Sequence, residues 1–564
     1  MICGVKPGHD GGIAVIDGNR LLFSIEAEKL DNSPRYSRLA GIGMIIDQLR
    51  ANGVDPRQVE HLVIDGWNPT GPWATKEITT AEGRTVPLSL AGYTDRADER
   101  FRSGNFAEVG GTLPFEDREL KYRSYPHTFG HAFSAYCTSP FAPADQDALI
   151  LVWDGGTDAL LYLFEAGGRG LVNLGTVLDT SGVIYPVFAS SLSPYRAYWL
   201  RGVARGGPDE AAADEETTFG WLLSVPGKAM AYAGLGSVDE AAVMALDELS
   251  GDGVGRPGPV VWTTKCRRRL RELGLSDASQ MASVQEFLYR RLEQGIKAKL
   301  GEAALARELP LCFAGGCALN IKWNSRLRSS GLFSDVWVPP FPNDAGSAIG
   351  TACAEMVRTT GHRALAWSVF SGPLPGPPHP SPAGWATRRC TPEDLADLLH
   401  EDGRPVVVID GRAELGPRAL GHRSILAPAT DPGMQDHLNK IKDREDYRPV
   451  APICLESRAA ELFDPGVRDP YMLFDHAVRP EWVSRIPAIV HADGTARLQT
   501  VGPDNELAFK ILTRYQARSG IPVLCNTSAN LNGRGFFPDV ASALRWNCTD
   551  YVWADNGLYS RTQV

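Results

Sequence analysis

A three-strand meander with an aspartate and glycines in its first turn occurs twice in this chain, and a duplication of that kind restricts the fold more than any other feature of the sequence. The first copy reads residues 2–5, a polar turn over 6–11, residues 12–16, the tight turn Asp17-Gly18-Asn19 and residues 21–26. The second reads residues 148–153, the turn Asp154-Gly155-Gly156-Thr157, residues 159–164, a glycine-rich turn over 167–170 and residues 171–177. Short apolar runs punctuated by Gly, Asn and Asp read as strands joined by tight turns. The repeat predicts two equivalent sheets in one N-terminal unit. Since any two β-meanders look alike in sequence, a chance likeness stays open until topology decides.

The run 371–382, Ser-Gly-Pro-Leu-Pro-Gly-Pro-Pro-His-Pro-Ser-Pro, can continue neither helix nor sheet. It divides the chain into a unit over 1–370 and an α/β unit over 383–564. Residues 283–300 carry apolar side chains at helical spacing and predict an amphipathic helix. Residues 392–399 read as helix and 405–410 as strand, with strands and helices alternating beyond. The acidic stretch 206–219 reads as a solvated surface loop.

Composition narrows the function classes. Lys+Arg 57 against Asp+Glu 67 gives a net charge of −10, the wrong sign for a protein that wraps nucleic acid. There is no uncharged apolar run long enough to span a membrane. The ten cysteines contain no C-x-x-C pair, and Cys312 and Cys317 are too isolated for a zinc site, so a reducing cytoplasm is expected. No G-x-x-x-x-G-K-[ST] occurs, which excludes a P-loop.

Several segments carry chemistry. His127 and His131 follow Pro126, which suits a helix start; one turn apart, both imidazoles face the same way and could share a metal, or could be two surface histidines. Asp344 lies where a strand enters a small-residue helix, either as an N-cap or as a carboxylate ligand beside the histidines. Gly315 and Gly316 follow an apolar strand and lead to Asn320; paired glycines let a ligand approach outward-pointing amides. The C-terminal unit gathers Arg412, Arg418 and Arg423, then Lys440, Lys442, Arg444 and Arg448, then Arg497, then Asn526, Thr527, Ser528 and Asn530, at glycine and proline turns. Arginine forks match phosphate oxygens, so an anion site is expected; the alternative is salt bridges to Glu414, Glu445 and Asp446.

Taken with Pro7-Gly8-His9-Asp10-Gly11-Gly12, Gly227-Lys228-Ala229-Met230 and Asn343-Asp344-Ala345-Gly346, these segments resemble the O-carbamoyltransferases of the nodulation-factor, cephem and tobramycin type over nearly the whole chain. The resemblance implies an α/β protein: an actin-like, duplicated, Kae1-like N-terminal domain and a YrdC-like C-terminal domain. The C-terminal domain would form carbamoyl-adenylate from carbamoyl phosphate and ATP with Mg²⁺, and the N-terminal domain would pass the carbamoyl group to a small hydroxylated acceptor such as a β-lactam, a macrolide or an amino sugar. It implies iron held by His127, His131 and Asp344, with His9 as general base oriented by Asp10, and Arg418 and Lys442 acting in adenylation. Ligand binding is implied for Asp154, Gly155, Gly156, Lys228, Gly315, Gly316 and Asn320 on one side. On the other it is implied for Arg423, Arg444, Arg448, Arg497, Ser528 and Asn530. A monomer or homodimer is expected, in antibiotic biosynthesis. One departure stands out: the family's Met-Gly-Leu-Ala after Gly-Lys is here Ala229-Met230-Ala231-Tyr232 and its continuation. A tRNA threonylcarbamoyl-type enzyme and an actin-like kinase or non-catalytic nucleotide-binding protein are the alternatives; the acidic charge weighs against the first, and the second leaves the arginines without a task.

Overall fold

The computed structural model describes residues 1–67, 77–95, 109–167, 170–196, 211–251, 253–302, 309–376 and 383–562. Both meanders form. The strands Ile2–Lys6 (β1), Gly12–Asp17 (β2) and Arg20–Glu26 (β3) are antiparallel neighbours, and His61–Asp65 (β4) pairs with β1 in parallel. The sheet continues through Arg118–Tyr125, parallel to β4, to an antiparallel edge strand Val109–Phe115. The second sheet runs Gly170–Ser181, Asp158–Glu165, Ala148–Val152, Leu311–Ala314, Val336–Trp337. Its first three strands are again an antiparallel meander, whose first strand again pairs in parallel with the later Leu311–Ala314. Five strands in one order and one set of directions recur, so the duplication is topological and not a chance likeness of hairpins.

β1 is buried along its whole length, and so is Ala148–Val152, as expected for strands covered on both faces. Two buried helices, His127–Cys137 and Ser347–Thr360, cross between the sheets. Their contact depends on glycine: a Cβ on Gly350 would lie 1.7 Å from the Gly130 carbonyl oxygen. That close crossing brings the start of one helix beside the segment that leads into the other.

The C-terminal half holds an eight-stranded mixed sheet in the order Trp385–Arg389, Gly557–Arg561, Tyr551–Ala554, Val406–Ile409, Arg423–Pro428, Val523–Ser528, Ala451–Leu455, Gln499–Val501. It has its own core, yet Leu415 packs into the core between the two N-terminal sheets, and Leu473 and Phe474 into the core of the second sheet. The described part of the proline-rich run is stitched down at both sides: Ser24 donates to the Ser371 carbonyl (2.8 Å), Gly372 to that of Ala413 (3.0 Å) and Gly376 to that of Pro538 (3.1 Å). Residues 377–382 lie outside the described residues.

The expected amphipathic helix is present and longer, Asp277–Glu302, and Pro392–Glu401 is helical. The acidic loop expected over 206–219 is corrected: residues 211–219 belong to the helix Ala211–Ala233, and 206–210 lie outside the described residues. Three alanines and three following acids at a helix start combine the highest helix propensity with charges that favour the N-terminal dipole. Among the described residues no helix is long and apolar enough to cross a membrane.

Candidate active site

β1 ends on Lys6 and β4 ends on Asp65, at the same edge of the first sheet. In the next strand Tyr125 is in register with Asp65, so Pro126 and His127 emerge at that edge too. His127 Nδ1 lies 2.6 Å from Asp65 Oδ2. Its Nε2 lies 3.2 Å from His131 Nε2 and 3.3 Å from Asp344 Oδ1. His131 Nε2 is 3.5 Å from Asp344 Oδ1 and 3.9 Å from Asp154 Oδ1. Atoms bonded to one metal at roughly 2.0–2.2 Å stand about 3.0–3.5 Å apart; His127, His131 and Asp344 converge at that spacing, with Asp154 as a fourth buried donor farther out. The residues therefore fit a divalent cation. The Asp65 carboxylate behind His127 is the partner that fixes a ligating imidazole's tautomer. Asp344 starts a 3₁₀ turn and makes no capping bond, so the N-cap alternative is set aside.

The electrostatics point the same way. Burial alone would depress His127, but Asp65 and Asp344 outweigh it and hold the imidazole at about 10. Burial would raise Asp344, yet Lys6, His127 and His9 hold it well below the carboxylate range. Lys6, fully buried, lies 3.1 Å from Asp344 Oδ2 and 3.3 Å from Asp65 Oδ2.

His9 joins this cluster. Its Nε2 is 3.4 Å from Asp344 Oδ2, and its Nδ1 is 2.9 Å from Asp10 Oδ2. Asp10 adopts a left-handed conformation (φ 52°), and Asn343 Nδ2 donates to its Oδ1 (3.2 Å). Asp154, the matching turn residue of the second meander, accepts from the Gly316 N–H (2.6 Å) and from the Tyr93 hydroxyl. The first turns of the two repeats thus meet at one site. Trp67 and Tyr93 wall it, with ring centroids 5.2 and 4.6 Å from His127.

The arginines converge elsewhere. A cavity of about 350 Å³ is lined by Arg418, Arg444, Arg448, Arg497, Asn526, Thr527 and Ser528 from the C-terminal half. Gly227, Met230, Ala231, Ile321 and Lys322 face them from the N-terminal half. Arg418 Nε, Arg444 Nη2 and Arg497 Nε are buried there with no protein acceptor. Burial, then Arg497, Arg35 and Arg448, hold Arg418 far below the arginine range; burial, then Arg448, brings Arg444 to about 9 and Arg497 to about 10. Buried donors without acceptors amid like charges suit an anion. The salt-bridge alternative holds in part: Arg448 lies 3.4 Å from Glu445 Oε2, but Glu414 Oε1 accepts the backbone N–H groups of Leu420, His422 and Arg423 and orders the arginine loop instead.

Some expected site residues serve the fold. Lys442 Nζ is buried and donates to the carbonyls of Ser528 and Asn530 (2.6 Å each) and to Asn530 Oδ1, which uses up its donors. Arg423 is buried and donates to the carbonyls of Asp410, Gly411 and His422. Asn320 caps the helix Ile321–Ser329, accepting from Lys322 N and Trp323 N. Lys228 pairs with Glu445 at 3.0 Å. Gly155, Gly156, Gly315, Gly316 and Asp154 belong with the histidine cluster and do not line the arginine cavity. Sequence reasoning missed Lys6, Asp65, Tyr93 and Arg35. For Lys6 and Asp65 the signal was there, a charged residue ending a buried apolar strand.

The model of the carbamoyltransferase N-terminus matches residues 1–353, and that of the carbamoyltransferase C-terminus matches residues 396–558. The chain is 43% identical over 584 residues to nodulation protein U of Rhizobium tropici, covering 100% of this chain and 96% of that protein. It is 32% identical over 554 residues to the 3'-hydroxymethylcephem-O-carbamoyltransferase of Streptomyces clavuligerus, covering 97% and 96%. The corresponding Amycolatopsis lactamdurans enzyme is 32% identical over 551 residues, with 95% and 94% covered.

Proposed function

The chain belongs to the carbamoyltransferase family, and from that premise we propose that it is an ATP-dependent O-carbamoyltransferase that works through carbamoyl-adenylate. The observation that carries this reading is the presence, in one chain, of a buried histidine–carboxylate cluster and an arginine cavity closed by both halves. The N-terminal half is read as actin-like and Kae1-like, supported by its repeated sheet order, and the C-terminal half as YrdC-like.

In the arginine cavity, a water molecule hydrolyses carbamoyl phosphate: the carbamoyl–phosphate linkage breaks, the water supplies the additional oxygen, and carbamate, phosphate and a proton result. A carbamate oxygen then attacks the α-phosphorus of Mg²⁺-bound ATP, and pyrophosphate leaves. Arg418, Arg444, Arg448 and Arg497 would bind the phosphate groups, with Thr527 and Ser528 as neutral partners. In the second half-reaction the acceptor hydroxyl oxygen attacks the carbamoyl carbon, the bond to the AMP oxygen breaks, and the hydroxyl proton passes to His9, oriented by Asp10. A divalent metal, iron by family resemblance, would be held by His127, His131 and Asp344, with Asp154 within reach, and would offset phosphate charge in that half-reaction. Trp67 and Tyr93 pack against His127 on the histidine side. The chain acts on a small-molecule hydroxyl, and an antibiotic acceptor in a reducing cytoplasm is the finer reading; the ten cysteines are all free thiols.

The test is incubation with ATP, carbamoyl phosphate and a panel of hydroxylated antibiotics and amino sugars. A mass gain of one carbamoyl group, with stoichiometric AMP and pyrophosphate, is expected. Product formed without ATP would remove the adenylate.

A further inference from the structure

We infer that Arg35, a residue of the N-terminal half, is an anion-binding residue of the arginine cavity and takes a phosphate group of the C-terminal half's substrates. This rests on the adenylation reading above for the identity of the substrate, but not for the anion contact itself.

Arg35 lines the cavity together with Arg418, Arg444, Arg448 and Arg497. It stands close enough to act on the adenylation candidate Arg418, where after burial and Arg497 it is the next influence that depresses the guanidinium. The fold places it there by a dedicated strap, residues 26–36, that leaves β3 and is fastened to the C-terminal half. At its root, buried Lys29 Nζ donates to Glu26 Oε1 and to the carbonyls of Glu414 and Gly416, each at 2.7 Å. Glu26 Oε1 in turn accepts the Gly416 N–H (2.8 Å), two residues before Arg418. At its tip, Arg35 N donates to the Gly533 carbonyl (2.9 Å), Gly535 N to that of Ser33 (3.1 Å), and Arg534 Nη1 to that of Asn32 (2.9 Å). A Cβ on Gly535 would fall 1.8 Å from the Glu28 carbonyl oxygen, so the strap and the C-terminal loop touch backbone to backbone.

Within the strap, half-buried Glu28 is the carboxylate that Arg35 faces; desolvation lifts it to about 7 and Arg35 works against that rise. Arg35 Nε donates to the Arg534 carbonyl at the long distance of 3.4 Å, and the guanidinium also bonds the neighbouring Tyr36 hydroxyl. A long guanidinium carried by the N-terminal half, with its backbone bolted to the C-terminal half and its side chain lining the cavity that half mainly builds, is the geometry of an arginine lent across a domain boundary to a phosphate. Adenylation therefore depends on both halves of the chain.

The test uses the full chain and inorganic pyrophosphate, titrated by calorimetry, alongside pyrophosphate release from ATP plus carbamoyl phosphate. A charge-assisted contact predicts that Arg35→Ala weakens pyrophosphate binding about 10- to 100-fold. Arg35→Lys, which keeps charge but loses the fork, should fall between and shows that the loss is not one of folding. Wild-type affinity in Arg35→Ala, while Arg418→Ala has lost binding, overturns the inference, as does a wild-type chain that binds no pyrophosphate. A wild-type chain that binds pyrophosphate but releases none from its substrates would sink the adenylation reading and leave Arg35 decided by the titration.

Discussion

Two histidines in this molecule, His127 buried and His491 half-buried, stand in opposite fields. His127, at the edge of the first sheet, is held at about 10 because Asp65 and Asp344 overcome burial. His491, on the wall of the arginine cavity, is pushed to about 3, by burial first and then by Arg497 and Lys322 against the pull of Asp493. The same side chain thus reports two sites of opposite sign, built in one acidic chain. The carboxylate-rich cluster suits a cation, and the arginine cavity suits an anion. Net charge, at −10, describes neither. What decides is which charges the fold desolvates together.

That contrast can be broken at either end. The largest effect is expected for His9→Ala: loss of a general base lowers carbamoyl transfer by about 10²–10⁴-fold while pyrophosphate release from ATP and carbamoyl phosphate persists. Equal loss of both activities would place His9 in the arginine chemistry and merge the two sites. Next is Arg418→Ala, expected to cut pyrophosphate release by roughly 10²–10³-fold with bound metal unchanged; loss of metal in this variant would show that the sites are not separate. Asp65→Asn should weaken metal affinity about 10- to 100-fold, read by equilibrium dialysis with metal analysis, because the residue orients His127. His127→Ala should lose the metal outright, and retention at unchanged affinity would rule out the cluster as its site.

The smallest effect concerns pH. The unfolded chain protonates His491 near 6.5, whereas the folded chain keeps it neutral down to about 3. A depressed folded value means that this group's stability is fully present above about 6.5 and is lost as pH falls from there toward 3, by at most about 1.4 kcal/mol per pH unit. His491→Gln should flatten the acid limb of the stability curve, measured by denaturant midpoints at successive pH values. An unchanged slope would place the histidine outside the cationic field.

Much of the N-terminal half was legible before any coordinates. Both meanders and the His127/His131 turn rest on short-range patterns, and in the C-terminal half the helix and strand at 392 and 405 formed as expected. The acidic stretch misled because polarity was read as loop, although alanine-rich acidic sequence is also good helix. Lys442 and Arg423 are ambiguous in sequence for another reason. A cation in a glycine-rich segment looks the same in sequence whether it faces a ligand or ties down carbonyl oxygens, and both of these do the latter.

By itself the sequence determined the strands, their turns, the duplication and the set of residue types available for chemistry, because each is written in neighbours a few positions apart. Only the tertiary structure decided which charges share a site. Asp65 meets His127 because two strands pair in parallel, His131 meets Asp344 because two helices cross at glycine, and Lys29 meets the Glu414 carbonyl across 385 positions of chain. Such meetings depend on packing, on the burial that makes an unpaired charge costly, and no local pattern encodes them.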